Sequence, residues 1–188
     1  MKAKEKTKAD RMAEYESFMG DDVYGVIAVE ELDRMGFFDA PASTTHHGNY
    51  AGGLFDHSLE VAKQLVMLTE KLGLKWKTFN SPKVVGMYHD LCKCDLYIKV
   101  KDLKFNQYVD VFEYNKETTI DGHGDKSLIF AMPHIKLTDE EIHCIRWHMG
   151  AFETDTKKWG FYGRAIKKYP NVLYTHVADM IASQIKGV

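Results

Sequence analysis

The sequence predicts a mainly α-helical, compact bundle that carries one small β-hairpin near residues 97–114. Three observations predict it. Apolar residues recur at three-to-four-residue intervals through most of the chain, Gly and Pro punctuate those stretches rather than fill them, and Tyr97 to Tyr114 switches to alternation with β-branched and aromatic residues. A length of 188 residues corresponds to about one domain. Hydrophobic residues at 45% and charged residues at 28% exclude the disordered, collagenous and coiled-coil classes.

Taken along the chain, Lys2, Lys4, Lys6, Lys8 and Arg11 form a basic leader interrupted by Glu5 and Asp10, expected to be a frayed, solvated end. Asp22 to Met35 opens on acidic capping candidates and stops at Gly36, which predicts a helix. Gly36 to Gly53 is a long loop for a compact domain and hence a candidate functional loop. Leu54 to Leu72 spaces Phe55, Leu59, Ala62 and Val66 along one face before Gly73. Ser81 and Pro82 give a cap and a first-turn proline for a buried helix through Val84, Val85, Met87, Tyr88 and Leu91. Thr138 with Glu141 has the form of a capping box, opening a helix through Ile142, Ile145 and Met149 that should end at Gly150. Asn171 to about Gln184 repeats the pattern with Leu173, Val177, Met180 and Ile181. Residues 1–41 are read as a basic tail and helices packing on the core, and 42–188 as the principal domain of one globular unit.

Composition also limits function. Twenty-five basic against 27 acidic residues give a net charge of −2, so no global field draws in long polyanions and stable duplex DNA binding is not expected. No apolar stretch approaches the 18 or more residues of a membrane span, and the lysine-laden start lacks a secretory apolar segment, so a cytoplasmic protein without membrane contact is expected. Three cysteines imply reduced thiols rather than a disulfide framework.

The placement of histidines carries the chemistry. His57 shares a helix side with Val61, Leu65 and Leu68; His89 shares one with Val85 and Cys92, and Asp90 follows it. His148 is in register with Cys144 and Ile145, Asp179 lies on a stripe with Val172 and Ala182, and His123 stands between two glycines at a helix start. One inward histidine is ordinarily a core residue, but five inward groups, His57, His89, Asp90, His148 and Asp179, on four helices point to a metal centre. Imidazoles with carboxylates suit manganese, iron, nickel, cobalt or zinc, whereas structural zinc sites are mostly cysteine-rich and closed.

These residues resemble the HD superfamily of metal-dependent phosphohydrolases. The resemblance covers about Ala42 to Ser183 and rests on His57 in GGLFDHS, His89-Asp90 in HDLCK, His123 in GHGDKS, His148 in IRWHMG and Asp179 in HVADM. It is nearest to the HD domain of bacterial 3'-to-5' exoribonucleases and to small HD proteins of firmicutes and their phages, with a tail similar to HD-type diadenosine tetraphosphate hydrolases. It implies an HD-domain helical bundle over 42–188 and two divalent ions per chain. His57, His89, Asp90 and Asp179 would hold the first, and His123 and His148 the second, with Asp90 bridging. Lys93 occupies the family's HDxxK position and would bind substrate and serve catalysis with Asp90.

Lys126 and Arg146 flank the later histidines as candidate phosphate contacts, and His47 and Tyr50, ahead of His57, are candidates for a base or sugar. Cys92 stands where the family usually has Gly; it is read as a small core residue that would otherwise crowd the site or add a soft ligand. His46, His134, His143 and His176 are read as structural or surface residues. The hairpin aromatics Tyr97, Phe105, Tyr108 and Phe112 are a candidate lid. The expected function is hydrolysis of a phosphoester or phosphoanhydride in a nucleotide, dinucleotide or short oligonucleotide by a metal-activated water. The alternative is a regulatory module that binds a nucleotide without turning it over.

Overall fold

A computed structural model describes residues 6–20, 24–46, 48–104, 107–152 and 155–188. It is mainly helical with one antiparallel hairpin, as expected. In order, α1 spans Lys8–Met19, α2 Val29–Met35, α3 Gly53–Leu72, α4 Ser81–Tyr88 and α5 Lys93–Leu96. The strands β1 (Tyr97–Lys104) and β2 (Gln107–Tyr114) follow, then α6 (His123–Ala131), α7 (Asp139–Arg146), α8 (Trp159–Lys168) and α9 (Asn171–Met180), which runs into a π-helical turn, Ile181–Lys186. Among the described residues, no helix is long and apolar enough to cross a membrane.

The leader differs from expectation where it is described. Thr7 and Asp10 close a capping box that starts α1. Arg11 is buried, and its guanidinium meets Asp56 Oδ2 through Nη2 at 2.8 Å and Nε at 3.2 Å, fixing α1 on the first turn of α3. Lys8 pairs with Asp33 and with Asp39. Lys2, Lys4 and Asp22 lie outside the described residues. The helix expected from Asp22 begins only at Val29, after Tyr24 to Ala28 run without regular structure.

Long α3 is the spine. Leu54, Phe55, Leu59, Val61, Ala62 and Leu65 face the core, and Gly73 in the left-handed region ends it. From the long loop, Phe37 packs edge-on against Phe38 and Phe55, and Phe38 lies tilted against Phe55, with centroids 5.4 to 6.0 Å apart. Each such ring contributes roughly 1.5–3 kcal/mol by leaving water. Helix α4 packs on α3 at Gly86, where a methyl group would lie 2.8 Å from Ala62 Cβ and 2.5 Å from its backbone nitrogen. Only glycine allows that approach, and it brings the ends of α3 and α4 that carry His57 and His89 together.

Helices α4, α7 and α9 are tied at their starts by a buried polar clamp. Ser81 donates to Glu141 Oε1 at 2.8 Å, and Asn171 Nδ2 donates to Glu140 Oε1 at 2.9 Å and to the Lys75 carbonyl at 2.8 Å. Their other ends meet too, as described below, so the three run side by side in one direction.

The hairpin is in continuous register from Tyr97 opposite Tyr114 to Lys104 opposite Gln107. Tyr97, Leu103, Tyr108, Phe112 and Tyr114 share one face by this register, with Tyr108 and Tyr114 exposed. Phe105 lies outside the described residues.

Candidate metal centre

The carboxylate of Asp90, 2% exposed, is the hub. Its Oδ2 faces His57 Nε2 at 3.6 Å, His89 Nε2 at 3.4 Å and Lys93 Nζ at 2.6 Å. Its Oδ1 faces His148 Nε2 at 3.4 Å and His123 Nδ1 at 3.7 Å. Asp179 Oδ1 lies 3.2 Å from His57 Nε2. All six expected ligands, drawn from α3, the turn after α4, α6, the turn after α7, and α9, therefore meet at one point.

Backbone carbonyls orient three of the rings. Nδ1 of His89 donates to Gly86 O at 2.8 Å, that of His148 to Ile145 O at 2.7 Å and that of His57 to Val188 O at 2.9 Å. With Nδ1 held by a carbonyl, Nε2 of each ring is aimed at the centre. The same bonds explain a departure from expectation. His89 and His148 lie not within helices but just beyond α4 and α7, because each ring captures the carbonyl three residues back that the next helical amide would have used. His123 does open α6, where Gly124 packs directly on the Arg146 carbonyl and sets α6 against the end of α7.

Burial pushes the Asp90 carboxyl up, but Lys93 and His89, with His123 and His148, outweigh it and hold the group well below the usual carboxylate range. Burial likewise opposes ionisation of Asp179, and contact with His57 overrides it downward. Lys93 is raised, because Asp90 outweighs its burial. Asp90 and then Cys92 push His123 up to about 10.

These features fit divalent cations. Among the described residues, the buried atoms His89 Nε2, His148 Nε2 and Asp90 Oδ1 have no hydrogen-bond partner, and leaving such atoms unsatisfied is costly. Two ionised carboxylates face one ammonium. The C-terminal ends of α4 and α7 add partial negative charge. The ligand atoms of His57, His89 and Asp90, of His89, His148 and Asp179, and of Asp90, Cys92 and His123 lie in three groups, each within 4.8 Å. This buried His/Asp group can hold metal ions.

A cleft of about 450 Å³ opens at His123 and is lined by Arg146, Trp147, Phe152 and Lys158. Arg146 stacks over Trp147 at 4.3 Å and pairs with Asp125. Lys126 is not brought to the centre. It is buried, and its ammonium bonds Asp95 Oδ2 at 2.5 Å and Thr118. Tyr50 donates to Asp56 Oδ2 at 3.1 Å and lines a different cleft, between its loop and the hairpin, to which none of the six ligands contributes. His47 lies outside the described residues.

His176, read from the sequence as structural or surface, has a structural contact that the sequence did not specify: its Nδ1 donates to the His148 carbonyl at 2.9 Å and so braces that residue's backbone. Its position one turn before Asp179 was the available signal. Lys158 gave no motif, and Trp147 stood inside IRWHMG without being singled out. No family model, curated protein or solved structure matches the chain.

Proposed function

We propose that the chain is an HD-type metal-dependent phosphohydrolase acting on a nucleotide, dinucleotide or short oligonucleotide with two divalent ions from the manganese, iron, nickel, cobalt and zinc group. The observation that carries this reading is the division of Asp90, one oxygen toward His57 and His89 and the other toward His123 and His148, inside a buried centre beside an open cleft. Divalent ions held there supply a water whose pKa falls toward about 7 and positive charge against the attacked phosphoryl group.

The chain's own residues do the rest. His57, His89, His148 and Asp179 present fixed lone pairs, and their carbonyl partners keep the rings from turning. Lys93 is the ammonium nearest the reacting position and is assigned to a phosphate oxygen. Arg146 and Lys158 add cationic donors along the cleft wall, and Trp147 and Phe152 offer ring faces to a base. The small cleft and the balanced net charge favour short substrates over duplexes.

The test is to purify the chain without chelators, count metals by elemental analysis, and screen phosphate release and chain shortening across nucleotides and short oligonucleotides with added manganese. Asp90→Ala is expected to abolish turnover in protein that stays folded, and Lys93→Ala to lower kcat/KM about 10²-fold. Stoichiometric nucleotide binding with no turnover under any metal would replace this reading with the regulatory one.

A further inference from the structure

Cys92 sits in the turn between the His89-Asp90 pair and Lys93, and its side chain is buried. Its backbone amide donates to Ser127 Oγ at 3.1 Å, pinning the turn against α6. Its Sγ lies 3.3 Å from His123 Nδ1, the nitrogen that also faces Asp90 Oδ1 at 3.7 Å. A tetrahedral ion with bonds of about 2.3 Å to sulfur and 2.0–2.2 Å to nitrogen and oxygen sets S···N near 3.6 Å and N···O near 3.4 Å. The observed pair of distances brackets those values to within about 0.3 Å. The other side of the same space is lined by the buried Asp90 Oδ1 and His148 Nε2, which have no hydrogen-bond partner among the described residues.

We propose that the Cys92 thiolate is a ligand of the second ion, completing with Asp90, His123 and His148 a carboxylate–imidazole–thiolate site that selects zinc or another thiophilic divalent ion over manganese. The inference rests on the reading that this centre binds divalent ions. On ligation the thiol gives its proton to solvent and its sulfur lone pair to the metal, so no oxidant or reductant is required. Soft thiolate ligands favour zinc and its neighbours, whereas carboxylate and water ligands suit manganese and magnesium. A cysteine here therefore narrows the choice of metal that imidazole and carboxylate alone leave open.

The experiment loads metal-stripped full-length chain with cobalt(II) under anaerobic conditions. The expected spectrum has a near-ultraviolet thiolate-to-cobalt charge-transfer band beside the visible ligand-field bands. The charge-transfer band is lost in Cys92→Ser and kept in Cys94→Ser and Cys144→Ser. The zinc-over-manganese preference of Cys92→Ser falls by at least about tenfold, the lower end of what losing even an outer-shell partner costs in metal affinity. X-ray absorption on the zinc-loaded wild type needs no variant and is expected to show one sulfur at about 2.3 Å. Ligand-field bands with no charge-transfer band, and a zinc shell without sulfur, would overturn the thiolate while leaving the metal centre standing. A chain that binds no cobalt or zinc would overturn both.

Discussion

Gly124→Ala tests the packing that delivers His123. A methyl group at this position would lie 2.7 Å from the Arg146 carbonyl carbon and closer still to its oxygen, and both are backbone atoms that cannot rotate aside. The carbonyl oxygen is nearest, at 2.2 Å, so reaching the 3.4 Å of ordinary contact requires α6 and the end of α7 to separate by about 1.2 Å. Overpacking of this kind costs about 1–3 kcal/mol. In a chain of this size each kcal/mol corresponds to roughly 2–4 °C of Tm. The same movement carries His123 away from Asp90 and Cys92, and it exceeds the roughly 0.2 Å that metal–ligand distances tolerate. His57, His89 and Asp179 stand on α3, the end of α4 and α9, away from the clash. If the centre holds the two ions proposed, the expected result is protein that melts a few degrees lower and binds one ion per chain instead of two, measured by thermal denaturation and elemental analysis. Two ions retained at wild-type affinity would refute the claim that this glycine sets the second site.

The Asp95–Lys126 pair predicts a pH dependence. Burial opposes ionisation of Asp95, but Lys126 and Thr118 hold its carboxyl below the ordinary 3.8. A lowered folded pKa means that the pair's contribution is complete above 3.8 and is lost as the pH falls below it. The stability gap between wild type and Asp95→Asn, followed by denaturant titration, should close on acidification; a gap independent of pH would show that the pair does not titrate with folding. Lys126→Met should lower Tm and leave KM unchanged, and a raised KM would return Lys126 to the substrate. His176→Ala removes the brace on the His148 carbonyl and should weaken metal binding about 10–100-fold with an intact far-ultraviolet spectrum. Wild-type affinity in a metal titration of that variant would make the bond incidental.

The bundle, the hairpin and the inward faces of His57, His89, Asp90, His148 and Asp179 were legible because each depends on a local period, whereas His123 stood out by its two flanking glycines at a helix start and the grouping of all six by the resemblance. The face of α3 that holds His57 follows from 3.6-residue spacing, and the hairpin follows from alternation. What was not legible came from contacts distant in sequence. Lys126 beside His123 has the look of a phosphate contact until Asp95, 31 residues earlier, claims its ammonium. The ends of α4 and α7 retreat because two histidine rings take backbone carbonyls, which no propensity records. Helix α8 carries Gly160 and Gly163, which depress helix propensity and hid it. Helix α1 was obscured by the run of Lys2, Lys4, Lys6 and Lys8 leading into it, although the Thr7 and Asp10 cap was there to be read.

The polar clamp joining Ser81, Glu140, Glu141 and Asn171 has a consequence for the opposite end of the bundle. Helices of eight to ten residues place it about 12–15 Å from the ligands. A slip of a single residue along any of the three axes would shift its ligand by about 1.5 Å, far beyond coordination tolerance. The clamp is thus a levelling device. It fixes the height at which His89, His148 and Asp179 emerge, so substitutions there would be felt as altered ion affinity by side chains they never touch.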